Sequence, residues 1–260
     1  TIRTTACNRM KYTRIPGVLQ LGNDTLRKYC YPVLPLTNLL RHEQLQRDTE
    51  RLHEKLSEFR TVMGYGRGIA APQIGVLSRI VAFNLSNQYP ELSSPQVNFT
   101  APTDGLPFTL YNPTITFHHQ DDGHDASSSS TFTMWDDCMS FPHLMVRLQR
   151  HTSCDVTFHT IVPLTASRNS SDIINNNGNT AAVADIDVVN NEALVEINWK
   201  NVPQPVSELI QHEVDHLNGV LAIDRALDEK SVVDRHEFLL NQTMYEERVE
   251  YTIVPTVVAQ

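Results

Sequence analysis

The chain has 260 residues, enough for one large domain or two small ones, and its 40% hydrophobic content can build a real core. A net charge of -9 and the lack of any long Lys/Arg run exclude a general nucleic-acid or anionic-membrane binder, which needs a basic face. No apolar stretch approaches the ~18 residues of a membrane span, and four cysteines without a CxxC pair make no disulfide scaffold, which points to a reducing compartment.

The first fourteen residues carry Arg3, Arg9, Lys11 and Arg14 and no acid. Such a basic terminus fits the remnant of an organelle transit sequence as well as it fits a plain frayed end. Residues 37–63 read as the longest helix, with Leu45, Leu52, Leu56, Phe59 and Met63 on one stripe and Gly64 as the stop. Strand-like runs follow at 78–85, 108–117, 154–162 and 181–189. Three polar stretches, near 86–107, 118–130 and 165–180, lack apolar periodicity and read as insertions. Sequons at Asn84, Asn98, Asn169 and Asn241 are expected by chance in an Asn- and Ser-rich chain. Strands and helices do not alternate regularly. The expectation is therefore a single α+β domain over 1–260, its core at about 18–225, with mostly antiparallel sheets.

The last strong helix is expected over 205–217, with Pro205 at its start and Asn218-Gly219 at its end. At ~100° per residue, Val206, Ile210, Val214 and Leu217 share one face, and Leu209, His212, Glu213 and His216 the adjoining one. Only Glu208, Gln211 and Asp215 point elsewhere, so this helix should be central and buried.

That helix carries His212-Glu213-Val214-Asp215-His216. Residues at i and i+4 stack one turn apart, so two imidazoles can grip one metal ion and the intervening glutamate lies beside its open position. Two core histidines with satisfied hydrogen bonds are the bland alternative, but burying two neutral histidines and a glutamate would demand partners for all three. Catalytic sites of this kind use a third protein ligand. The metzincin extension HExxHxxGxxH is excluded because its last position is Ala222. Glu237, on a later segment, would suit a zinc endopeptidase. Cys154 falls in a strand-like alternation, and Cys7 and Cys30 lie far back in the N-terminal region, so Cys138 ranks first by elimination.

Three segments resemble the motifs of the peptide deformylase (polypeptide deformylase) family, in the family's order. Gly66-Arg67-Gly68-Ile69-Ala70-Ala71-Pro72-Gln73 resembles GxGxAAxQ, Asp136-Asp137-Cys138-Met139-Ser140 resembles EGCLS, and Gln211 to Gly219 resembles QHExDHLxG. Weaker matches include Val18 to Gly22, Asn112-Pro113 and Asp224-Arg225, so the resemblance runs from about Val18 to Arg225. It implies Cys138, His212 and His216 as ligands of one divalent metal, often Fe(II) in the family, with Zn, Ni or Co able to replace it. It implies Glu213 as general base, with Gln73 and the Met139 backbone N–H stabilising an oxyanion. Gly66, Arg67, Gly68, Ile69 and Asp137 would line the substrate pocket. The implied reaction removes the formyl group from the initiator methionine of nascent polypeptides at the ribosome, without direct nucleic-acid binding or membrane attachment. The expected place is a mitochondrion or another organelle that starts translation with formyl-methionine, or the cytoplasm if the source is bacterial. A deformylase-like protein that binds N-termini without turnover is the non-enzymatic alternative.

Two departures are visible. Asp136-Asp137 replaces Glu-Gly, and Arg67 replaces an apolar residue between the glycines of the first motif. Opposite charges in two motifs that flank one metal suggest that Arg67 and Asp137 form an ion pair across the cleft. Arg150 is expected to pair with Asp136.

Overall fold

The computed structural model describes residues 14–33, 43–85, 107–117, 130–163 and 192–253. The expected insertions lie almost wholly outside the described residues, as do the strand at 181–189 and Cys7.

Helix α1 (Glu43–Met63) forms where the apolar stripe places it, with Leu45, Leu52, Leu56 and Phe59 buried. Strands β1 (Gly68–Ala70), β2 (Ile80–Phe83), β3 (Phe108–Thr116), β6 (Cys154–Pro163) and β7 (Glu192–Val202) pair antiparallel in the order β1-β2-β3-β6-β7. Strands β4 (Thr131–Asp136), β5 (Leu144–His151) and β8 (Val232–Asp234) form a second antiparallel sheet, β4-β5-β8. Helix α2 (Gln204–Leu217) is followed by two short helices, α3 (Arg235–Leu240) and α4 (Gln242–Glu246). The α+β class and antiparallel pairing are as the sequence indicates. Strands β1, β4, β5, β7 and β8 were not read from it.

Over β1, β2 and the first half of β3 the five-stranded sheet is covered on both faces, and its side chains alternate between two cores. Ile69, Ile80, Ala82 and Tyr111 meet α1. Ala70, Val81, Phe83 and Leu110 join Val206, Leu209, Ile210, Val214 and Leu217 of α2. On its other side α2 meets β5, where Gln211 accepts from the His151 backbone N–H at 3.0 Å and donates to the His151 carbonyl at 2.9 Å. Every residue from Val206 to Leu217 is consequently buried. The expectation that Glu208, Gln211 and Asp215 point away from the core is corrected, because a helix held between two sheets has no solvent face.

The N-terminal segment fixes both motif loops against α2. Leu19 N–H donates to the Gln73 carbonyl at 2.7 Å, Leu21 N–H to the Ser140 carbonyl at 2.8 Å, and Cys30 N–H to the Leu217 carbonyl at 2.8 Å. This last contact satisfies a carbonyl at the end of α2, where the helix supplies no partner. Gly219 leaves the helix at φ 73, and a Cβ there would come within 2.5 Å of the Arg27 carbonyl oxygen. A side chain at this position meets both left-handed strain and immovable backbone. Gly219→Ala is expected to cost about 3 kcal/mol in urea unfolding; a loss under about 1 kcal/mol would show that the strap is not tightly held.

Candidate active site

The end of β4 and the buried face of α2 meet at three nucleophilic side chains. His212 and His216 are one turn apart, with ring centroids separated by 5.0 Å. Cys138, in the turn after β4, brings its Sγ to 3.3 Å from His216 Nε2. One ligand atom from each of Cys138, His212 and His216 lies within 4.8 Å of the others, and all three residues are buried. Glu237 does not join them. It is exposed on α3, where its carboxylate accepts from Asn241 Nδ2 at 2.8 Å. Cys30 and Cys154 are core residues, and burial pushes both thiols up to about 11.

A chain of charges behind His212 sets its orientation. Its Nδ1 lies 2.8 Å from Asp136 Oδ2, which fixes the proton on Nδ1 and turns Nε2 towards the site. Asp136 also accepts from Arg150 Nη2 at 3.2 Å, the pairing expected from the sequence. Arg150 Nη1 continues to Asp215 at 2.6 Å, and Arg225 grips Asp215 through two bonds of 2.5 Å. Burial would raise the Asp136 carboxyl, but His212 and then Arg150 hold it far below the usual carboxylate range. Burial opposes a charge on His212 too, yet Asp136 prevails and raises it. Burial and the neighbouring His212 push His216 the other way.

Glu213 lies beside this cluster. Burial raises its carboxyl to about 7, with His212 opposing. Its Oε2 is buried and has no hydrogen-bond partner among the described residues. The carboxylate sits so close to β1 that a Cβ on Gly68 would meet Oε1 at 2.6 Å and the Phe83 ring at 2.9 Å. Gln73, in the 3-10 turn Ala71–Ile74, is held by the Ala70 N–H at its Oε1 (2.8 Å). Its Nε2 faces Cys138 Sγ at 3.5 Å and Ser140 Oγ at 3.2 Å.

Gln73, Asp136, Cys138, His212 and Glu213 line a cavity of about 230 Å³, together with Gly66, Arg67, Gly68, Asp137 and Met139. Ile69, also expected there, is a correction. On β1 its side chain takes the opposite face from its neighbours and packs beneath α1. The expected Arg67–Asp137 pairing is corrected as well, since each charge has a different main partner. Arg67 Nη1 donates to Glu208 Oε1 at 2.5 Å, and Asp137 accepts from Arg235. Arg235 also lies over the Tyr65 ring at 4.8 Å and donates to the Pro142 carbonyl at 2.7 Å. Glu208 and Arg235 are among the cavity residues that sequence reasoning missed. The signal for Glu208 was its place one turn before His212; Arg235 lies beyond the motifs and gave none.

The family model for polypeptide deformylase matches residues 15–163, more than half of the chain. The chain belongs to the polypeptide deformylase family. It is 24% identical over 218 residues to the peptide deformylase of Thermotoga neapolitana, a match covering 84% of this chain and 91% of that relative. It is 26% identical over 160 residues to the peptide deformylase of Orientia tsutsugamushi (strain Boryong), covering 62% of this chain and 64% of that protein, so it spans slightly less than two thirds of this relative. The crystal structure of the peptide deformylase from Ehrlichia chaffeensis superposes with a TM-score of 0.50 at 18% identity, covering 89% of this chain and 96% of that one, and shares its fold. The family match stops before α2, which carries the two histidines.

Partners that orient a ligating histidine commonly change metal affinity by about 10–100-fold. Asp136→Asn removes the charge that holds His212 Nδ1. Competition with a chromophoric chelator should show zinc affinity reduced on that scale while circular dichroism stays native; an unchanged affinity would separate Asp136 from the ligand set.

Proposed function

We propose that the protein is a metal-dependent deformylase that hydrolyses the N-formyl group from the initiator methionine of nascent polypeptides and releases formate. The observation that carries this reading is the buried Cys138, His212 and His216 set, within 4.8 Å, beside the unpartnered Glu213 Oε2 in a chain of the deformylase family. The donor set fits a divalent cation. Asp136 fixes the tautomer of His212, and one thiolate with two imidazoles suits Fe(II), Zn, Ni or Co. We assign Fe(II) as the resident ion by family likeness. When bound, such an ion supplies Lewis acidity, acidifying a water and polarising the formyl oxygen.

The chain's own groups carry the proton and the geometry. Glu213 takes a proton from the attacking water at Oε2. It returns that proton to the amine nitrogen as the formyl C–N bond breaks, giving formate and a free N-terminus. Gln73 offers its amide N–H, and Met139 its backbone N–H, to the oxygen that becomes negative. Gly68 leaves the room that the Glu213 carboxylate occupies. The partner in this reading is the nascent chain as it leaves the ribosome. The net charge of -9 favours recognition through the peptide rather than through RNA. Formylated N-termini arise where translation starts with formyl-methionine, so a mitochondrion or similar compartment fits the substrate.

The test is formate release from formyl-Met-Ala-Ser by metal-replete protein. Wild type should turn over repeatedly. Glu213→Gln should keep one equivalent of metal yet lose about 10²-fold or more in kcat, and Cys138→Ala and His212→Ala should lose the metal by elemental analysis. No formate from fully loaded wild type, or near-normal kcat in folded Glu213→Gln, would contradict the proposal.

A further inference from the structure

A second cavity, of about 630 Å³, lies against a different face of α2. Gln211, Val214, Asp215 and Asn218 line it, a stripe at helical spacing, whereas Leu209, His212 and Glu213 face the cavity at the metal site. Its volume falls in the range of small-molecule sites, roughly 300–1,000 Å³. Three arginines of its wall converge on this stripe. Arg79 Nη1 donates to Asn218 Oδ1 at 2.9 Å, and Arg150 Nη1 and Arg225 Nη2 donate to Asp215 at 2.6 and 2.5 Å. Asp215 and Asn218 stand three residues apart on the helix, so their Cβ atoms are neighbours at about 5–6 Å.

The charges of this wall do not cancel. Asp215 is shared by two arginines, and the other carboxylate lining the cavity, Asp224, pairs with Arg27. Arg79 is 7% exposed and has no carboxylate partner among the described residues. Besides Asn218, its guanidinium donates to the Pro113 carbonyl at 3.1 Å and lies over the Tyr29 ring at 5.4 Å. The C-terminal end of α2 offers it about half a negative charge, which leaves roughly half of its own unmet. A buried cation so poorly compensated is costly, and holding two neutral oxygens needs N–H groups but no charge. Arg150 adds an unmet donor, since its Nε is buried without a hydrogen-bond partner. Apolar surface completes the wall. Leu227 is exposed, and the Phe117 ring stacks on His151 at 3.8 Å.

We infer that this cavity binds a small organic anion, with a carboxylate or phosphate head on Arg79 and an apolar body against Phe117 and Leu227. The planar fork of a guanidinium matches either head through two parallel hydrogen bonds. The head supplies the charge that Arg79 lacks, and Asp215 does not repel it because Arg150 and Arg225 neutralise that carboxylate. The site stands apart from the metal-binding side chains and does not depend on the reaction there.

The experiment is calorimetric titration of the metal-replete protein with phenyl phosphate, benzoate and the neutral benzyl alcohol at low salt. At least one of the two anions should bind with a Kd below about 1 mM, and the tighter of them names the head group; benzyl alcohol should bind at least tenfold more weakly than that anion. Arg79→Gln, which keeps a donor and removes the charge, should weaken the anion by about tenfold or more. Leu227→Glu changes an exposed position at the cavity and leaves the interior alone. It sets a like charge beside the anion and should weaken it comparably, so the test stands even if Arg79→Gln fails to fold. Neither change touches the metal-binding side chains, which separates this cavity from direct ligation of the metal by the anion. No binding of either anion, equal binding of benzyl alcohol, or anion affinity that Leu227→Glu and folded Arg79→Gln both leave unchanged would overturn the inference.

Discussion

The guanidinium of Arg150, 2% exposed, holds two carboxylates in the interior, Asp136 at the end of β4 and Asp215 on α2. Asp136 in turn holds the Nδ1 edge of His212. One cation on β5 thus ties the cysteine-bearing turn to the histidine-bearing helix, and the relative placement of Cys138, His212 and His216 follows. Removing one partner of a buried pair typically costs 3–5 kcal/mol, about the scale of a whole domain's margin of stability. The arrangement thus couples the geometry of the site to the stability of the fold. The outer carboxylate, Asp215, is shared with Arg225, which reaches it from the 3-10 turn Ala222–Arg225.

A helix buried between two sheets has to satisfy every polar group it carries. On α2, Gln211 bonds the backbone of His151, Asp215 holds two arginines and Glu208 holds Arg67. The orphans that remain, Glu213 Oε2 and His216 Nδ1, belong to the site itself. Among the described residues Glu213 Oε2 is the one buried carboxylate oxygen without a hydrogen-bond partner, which suits it to the proton-accepting role proposed for it.

The histidine motif and its helix were legible because a 3.6-residue period and an i,i+4 ligand pair are local facts of the chain. Helix α1 was legible for the same reason. Strand β4 was not, although Phe132 and Met134 alternate with Thr131 and Thr133, because it follows a polar stretch directly and runs into Asp136-Asp137. Strand β5 hid its inward residues among Arg147, Gln149 and Arg150. The wheel of α2 gave the right angles for Glu208, Gln211 and Asp215 but not what surrounds them, since spacing along a helix says nothing of a second sheet on its far side. Partners of charges were the least legible. Arg67 and Asp137 stand in motifs that flank one site, yet the side chain that meets Asp137 comes from α3, beyond the span in which motifs guide the eye.

The central claim is that Cys138 completes a metal site with the two histidines of α2. X-ray absorption on protein loaded with one equivalent of zinc reads that ligand set directly. The structure predicts one sulfur at about 2.3 Å and two imidazole nitrogens at about 2.0–2.1 Å. A first shell of nitrogen and oxygen only, with no sulfur, would contradict it.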